Sequence, residues 1–537
     1  MTVRDLLQRA IDADPDAPLV ILPIGDGDDL AYSRSEFSVL VASLARQLSE
    51  HGVGEGDCIG VWLPNWPVAL AAQFAASTLG AHVIGINTRY NVAEVENVVV
   101  RARPKVVLIA DGFVGLDLLG RITEARRTAL DAGRDWTDPV LVPIAEPGSE
   151  VADIGAYDLG GGSASLEAPA HETLADFSVV PGDPLCVAFT TSGSTGLPKL
   201  AAHDDSSVTT HAESCAAAMG LTGDDVFVCA LPLSGTFGFS AAMAAVAAGS
   251  ALLMHPSFRP DQLARQIPAY RVSALAFGDD MLARLHEEWQ KQRADFSTLR
   301  WTGIADFNGE SARYAEWLES CGAHATGVYG SSEVFALLSM WPDSVSAPQR
   351  WSGGGRMVGD DMEFRVVDET DTPVADGDKG EIQFRGPNVV RAYLGQPEKM
   401  AENVTRDGWF KSGDLAMRVD DRSFTYLARM SDALRLKGFL VEPDEIALRL
   451  AAHPDVERAK VVGVQATGET EAIGFVTVRP GAAVSGEELV DFCRESLAKF
   501  KVPSAVYVID EMPTTASANG TKIKSGVLRE WALERRA

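Results

Sequence analysis

Between Phe37 and Ala110 the apolar residues recur first at helical spacing and then in short unbroken runs, and this alternation repeats. The spacing predicts helices over 37–51, 67–79 and 92–103, two of them closed by Gly52 and Gly80, and strands over 58–63, 82–86 and 106–110. A chain written this way folds as a mostly parallel sheet covered by helices. Residues 131–176, rich in Gly, Pro, Asp and Ser, read as a long irregular connection between lobes. Beyond Gly353 the pattern shortens to alternating runs over 362–368 and 380–385, as in a small β-rich lobe. The last section reads as helix (445–452), strands (459–464, 472–478), helix (487–500) and strand (505–509), a compact α+β unit. The expected fold class is therefore α/β, a large multi-lobed N-terminal domain of helix-covered mixed sheets plus a β-rich lobe, with a small α+β C-terminal domain.

At 537 residues the chain exceeds one hydrophobic core. Its formal net charge of −28 repels nucleic acid and anionic lipid, so neither is expected as a partner, and any phosphate site must be built from local cations and backbone dipoles. Six scattered cysteines without a CxxC pair predict reduced core residues, and the charged start MTVRDLLQRAIDADPDAP is no signal peptide. The alanine-rich stretch 237–254 is broken by Gly249 and Ser250 into a buried helix and a strand. A cytoplasmic protein is expected.

Candidate chemistry begins after the apolar run Leu185 to Phe189, where TTSGSTGLPK (190–199) gathers hydroxyls, two glycines and a lysine. Gly193 and Gly196 free the backbone to turn its amides toward an anion, Thr191, Ser192, Ser194 and Thr195 add hydroxyl donors, and Lys199 adds a point charge. The bland alternative is a Ser/Gly-rich linker, and the string is not the GxxxxGK[ST] loop because no hydroxyl residue follows Lys199. The segment 327–333, GVYGSSE, reads as a strand end entering a loop, with an aromatic suited to stacking and a carboxylate suited to a cation. Asp279 and Asp280 resemble an acid–base pair, but Asp280 precedes the helical pattern 281–289 and reads better as its N-cap. His203 and His211 have no partner at metal-ligand spacing, and no HExxH or Cys/His cluster exists.

The string at 190–199 resembles the phosphate loop of the acyl-adenylate-forming superfamily, which includes acyl-CoA synthetases. The resemblance extends over nearly the whole chain. GVYGSSE resembles the family's YGxTE motif with Ser332 for threonine, which implies that Tyr329 and Gly330 pack on adenine and that Glu333, with Ser194, binds Mg²⁺. GWFKSGD (408–414) resembles its xTGD motif with Ser412 for threonine, so Asp414 would bind the ribose hydroxyls. Arg429 also reaches the ribose and opens the junction to a mobile lid, which sets expected domains of 1–429 and 430–537. Ser431 and Asp432 stand where the family has one Asp or Lys, leaving the register of the pivot open. SANGTKIKS (517–525) matches the family's lysine loop, favouring Lys522 over Lys524 as the lysine that acts in adenylation together with Lys199 and Glu333.

The same resemblance places Gly235, Phe237, Gly303 and Ser331 in the acid pocket and Lys437, Gly438 and Phe439 on the face that meets the acceptor. Gly235 departs from the histidine or aromatic of many relatives and leaves room for a bulky apolar acid. The implied reaction joins a carboxylic acid to AMP, using ATP and Mg²⁺ and releasing pyrophosphate, and passes the acyl group to coenzyme A. The competing acceptors are an amine or a carrier-protein thiol, a luciferase-like oxidation shares the motifs, and a silent nucleotide-binding scaffold is the reading from another class.

Overall fold

The computed structural model describes the chain except residues 25–27, 149–154, 159–162, 166–173, 175–176, 179, 192–197, 431–433, 437–438, 442, 467–468, 498, 518–519 and 536–537. Two large sheets dominate it. In the first, parallel strands lie in the order Leu185–Thr190, His82–Gly85, Cys58–Trp62, Val106–Asp111, Val140–Ala145. Their helices start and stop where the sequence signals: Pro67–Leu79 has proline in its first turn and ends at Gly80 with φ +69°, while Arg34–Glu50 and Val92–Ala102 carry capping boxes from Ser33/Glu36 and Asn91/Glu94. The first helix, Val3–Ala13, buries Val3, Leu6, Leu7 and Ala10 of its helically spaced apolar residues and leaves Ile11 half-buried.

The second sheet runs parallel through Ala251–Met254, Val226–Cys229, Ala274–Gly278, Trp301–Ala305 and Ala325–Ser331. It then continues antiparallel through Phe335–Met340, Gly354–Met357, Ser423–Arg429, Phe410–Arg418, Lys379–Arg385 and Glu363–Val367. The β-rich lobe expected from the sequence is thus the far half of one hydrogen-bonded sheet, with its own core around Phe384, Phe424 and Ile382.

The C-terminal part has a separate core on each face of one small sheet, whose central strand Glu469–Val478 is antiparallel to Val456–Ala466 and parallel to Ala505–Val508. Because strand side chains alternate, Val461 and Val476 meet Ile446 and Leu489 on one side, while Val462, Ile473 and Phe475 meet Leu528 and Ala532 on the other.

Three expectations need correction. Residues 131–176 are not simply irregular: Val140–Ala145 extends the first sheet, and Gly155–Asp158 and Ser163–Ser165 form a hairpin beside it. Pro143 is tolerated there because the outer neighbour pairs only with Val140 and Leu141, so no ladder bond is demanded of the proline. The helix expected over 487–500 ends at Arg494, and Lys499–Lys501 forms a separate 3₁₀ turn. Asp280 is not an N-cap, since Gly278 occupies that position and both aspartates lie in the first helical turn. All six cysteines are free and five are buried, and among the described residues no helix is long and apolar enough to cross a membrane.

Candidate active site

A cleft of about 980 Å³ opens where the parallel strands of the second sheet end, the place where open α/β sheets bind ligands. Ala305 ends one strand, Tyr329, Gly330 and Ser331 end the next, and Glu333 follows in the loop. Thr191 enters from the first sheet, Asp414 and Arg429 from the antiparallel half of the second, and Lys460, Ile523 and Arg529 from the C-terminal part.

At the antiparallel end, the Tyr329 phenol donates to Asp414 Oδ2 at 2.6 Å, and Arg429 Nη1 lies 3.1 Å from Asp414 Oδ1. Tyr329 is buried and packs against Phe384, Phe424 and Tyr426. Burial, and then the Asp414 charge, push its phenol well above the ordinary value, so it stays a donor. Burial likewise raises the Asp414 carboxyl, against the pull of Arg429. The result is a preoriented acceptor, with lone pairs left over for further donors.

At the loop end, Tyr393 joins two residues singled out from the sequence. Its hydroxyl donates to Glu333 Oε1 at 3.4 Å, and Lys199 Nζ sits 4.2 Å from its ring centroid. Nothing in the sequence marks Tyr393, which pairs with Ala201 through a short strand. The Thr191 hydroxyl is buried with no hydrogen-bond partner among the described residues. A buried donor left in that state, at the wall of a cleft, fits a phosphate oxygen. Glu333, half-buried in the same wall, fits a magnesium ion that keeps most of its waters.

The expected residues divide as follows. Thr191, Tyr329, Gly330, Ser331, Glu333, Asp414, Arg429 and Phe237 line the cleft, and Lys199 lies behind it on Tyr393. Ser192, Gly193, Ser194, Thr195, Gly196, Lys437 and Gly438, with the Ser431–Asp432 pivot, lie outside the described residues, as do the side chains of Phe439 and Lys522. The backbone of Lys522 pairs with Thr515 in a hairpin, and the adjacent Ile523 and Ser525 line the cleft.

Gly235 and Gly303 were expected in the acid pocket and are not in its wall. Gly235 is the buried N-cap of Thr236–Ala248, whose Thr236 and Phe237 face the cleft instead. A side chain at Gly303 would collide with the Trp301 indole, so that glycine accommodates packing two residues before Ala305 reaches the wall.

The wall also contains Asp306, Phe307, Val328 and Trp351, which the sequence did not announce. Asp279 shapes this side: its carboxylate accepts from Asn308 N at 2.8 Å and Asn308 Nδ2 at 2.9 Å, fixing the loop that carries Phe307. Burial, and then the charge of Asp306, push the Asp279 carboxyl well above the usual carboxylate range.

Gly330 has no room for a side chain, because a Cβ there would overlap the Phe335 carbonyl and lie 2.5 Å from Ala336 Cα. Gly330→Ala is therefore expected to displace the loop carrying Glu333 and to cut activity by roughly 10²-fold, the effect of an ångström-scale misplacement. Comparing kcat and melting temperature of the variant with those of the parent checks this, since simple destabilisation would leave kcat per folded molecule unchanged.

The sequence model described as AMP-binding enzyme matches residues 7–394, and that described as AMP-binding enzyme C-terminal domain matches residues 445–519. The chain is 30% identical to the 3-[(3aS,4S,7aS)-7a-methyl-1,5-dioxo-octahydro-1H-inden-4-yl]propanoyl:CoA ligase of Mycobacterium tuberculosis, covering 98% of each chain. It is also 30% identical to a feruloyl-CoA synthase of Amycolatopsis sp, over 93% of this chain and 94% of the relative. ATP-bound MatB from Rhodopseudomonas palustris shares the fold with a TM-score of 0.83 at 23% identity, covering 100% of both chains. The amide bond synthetase McbA from Marinactinospora thermotolerans does so at 0.80 and 22%, covering 99% of both. With the two domain models in order along it and a full-length relative at this identity, the chain belongs to the AMP-binding enzyme family.

Proposed function

We propose that this protein is an acyl-CoA synthetase that activates a carboxylic acid with ATP and transfers the acyl group to coenzyme A. The single observation that carries the reading is the cleft itself, which gathers Thr191, Glu333, Tyr329, Asp414 and Arg429 from separate parts of the chain. The names of the full-length relatives, both of them CoA ligases or synthases, support coenzyme A as acceptor.

In the first step a carboxylate oxygen attacks the α-phosphorus of ATP, the bond to the bridging oxygen breaks, and pyrophosphate leaves. Two anions must be held together, so positioned charge and dipoles supply the rate. Asp414 and Arg429 hold the ribose, Tyr329 and Gly330 border the adenine, and Thr191 faces the phosphates, to which the hydroxyls and glycines of 192–196 would add donors. Glu333, joined by Ser194, would hold magnesium, which would supply charge neutralisation at the phosphates. Lys199 supports this end through Tyr393, and Lys522 approaches from the C-terminal hairpin. In the second step the thiol of coenzyme A attacks the acyl carbonyl, its proton passes to solvent, and AMP leaves. Residues 1–429 form the adenylating body in this scheme, and 430–537 the lid that turns to bring Lys437, Gly438 and Phe439 to the acceptor.

Phe237, Phe307, Val328 and Trp351 in the wall suit a bulky, largely apolar acid. The test is mass spectrometry of products formed from ATP, magnesium, a panel of such acids and either coenzyme A or mixed amines. Acyl-CoA together with AMP supports the proposal, an amide would reassign the acceptor, and no AMP with any acid would overturn it.

A further inference from the structure

Phe335 and Leu337, just beyond Glu333, hold backbone φ of +65° and +63°, the left-handed region that bulky residues avoid. Something must hold the segment there. Phe335 is fully buried between two imidazoles, with His203 at 4.0 Å and His211 at 4.9 Å between ring centroids, both stacked. His203 comes from the strand Leu200–Asp204 that leaves the phosphate-loop region, and His211 from the helix Asp205–Met219 that follows.

The nitrogens are used as well as the rings. His203 Nε2 lies 2.8 Å from the Ser332 carbonyl and His211 Nε2 2.7 Å from the Ala336 carbonyl. Asn388 Nδ2 donates to His211 Nδ1 at 2.9 Å, which leaves the proton on Nε2. Burial holds both rings neutral, with values near about 4. Between these two grips, the carbonyl of Glu333 itself accepts from Val390 N at 2.7 Å. A purely apolar stack would pack Phe335 as well and would avoid burying the His203 Nδ1, which has no partner among the described residues. The polar rings are explained by the carbonyls on either side of Glu333.

We infer that His203 and His211 are positioning residues that clamp the 332–336 segment from both ends, setting Glu333 and Ser331 in the cleft. Thr236 Oγ1 bonds Ser332 Oγ at 3.1 Å, so the same clamp registers the start of the acid-pocket helix against the catalytic loop. The inference rests on the proposed adenylation and concerns its first step.

The test compares His203→Phe, which keeps an aromatic stack without the donor, with His203→Gln, whose amide can still donate to Ser332. Acid-dependent pyrophosphate exchange and coenzyme A transfer from supplied acyl-adenylate are measured separately. His203→Phe is expected to lower kcat of adenylation by about 10- to 100-fold, the range for a misplaced catalytic group, with little change in transfer. His203→Gln is expected to recover most of the loss. The pair His211→Phe and His211→Gln reads the same clamp at Ala336, so a misfolded Phe variant at one position leaves the other to decide. Wild-type adenylation in the Phe variants, equal impairment of Phe and Gln, or equal loss in both half-reactions would overturn the inference while leaving the enzyme an adenylating ligase. A parent protein that forms no adenylate would overturn both.

Discussion

Lys522→Ala is expected to slow acyl-adenylate formation by roughly 10² to 10³-fold, the loss seen when one preorganised donor to a developing charge is removed. At about 4 Å and an effective dielectric near 20, one lysine charge is worth roughly 4 kcal/mol against a phosphate oxygen, which is of that order. Ile523, in the same strand as Lys522, and the following Ser525 line the cleft, so the main chain carries Lys522 beside the cleft wall. Transfer from a supplied acyl-adenylate should survive, because that step needs no charge at the α-phosphate before AMP departs. Lys524→Ala is the matched control: Lys524 is exposed at the N-cap of Ser525–Glu534 and should cost little. Rapid-quench measurement of each half-reaction decides it, and equal losses in both half-reactions for Lys522→Ala would remove the lysine from its assigned role.

Asp414→Asn should raise the KM for ATP by about 10²-fold, since each hydrogen bond to a charged acceptor is worth ~1.5–3 kcal/mol and this carboxylate is proposed to accept from two ribose hydroxyls. The variant keeps the shape of the side chain while removing its charge and turning one acceptor oxygen into a donor. It also leaves Arg429 without its carboxylate partner and the Tyr329 phenol with a weaker acceptor. Nucleotide titration calorimetry measures the affinity directly, and an unchanged Kd for ATP would exclude Asp414 from ribose binding. Tyr329→Phe, which deletes only the 2.6 Å bond, should show a smaller shift in the same direction.

The elements were legible where local signals decide them. Pro67 and Gly80 bracket a helix, the capping boxes start two more, and the apolar run at 185–189 and the strand end at 327–331 lie in strands that end at the cleft. The site was legible as motifs and not as contacts. Tyr329 and Asp414 stand 85 residues apart in the chain, and no periodicity announces that one phenol donates to the other carboxylate. Tyr393 and the two histidines around Phe335 were hidden for the same reason, because their roles arise from tertiary packing. Gly303 was misjudged because a glycine in a strand can make room for a neighbour's ring as well as for a substrate. The strand at 140–145 was missed because its proline argues against a strand unless the outer neighbour is known to stop short.

The sheet that carries Ala305 at one end of the cleft continues without interruption to the strands carrying Asp414 and Arg429. Inter-strand spacing of about 4.8 Å is set by backbone geometry and barely yields. If Asp414 and Arg429 hold the ribose as proposed, the sheet serves as a fixed measuring rod between sugar and acid, and the distance from nucleotide to reacting carboxylate is expected to be common to every acid accepted. On that reading, acids of different length are accommodated beyond that point, where Phe237, Phe307 and Trp351 line the cleft. Redesign aimed at a new acid should exchange those side chains and leave the strands untouched.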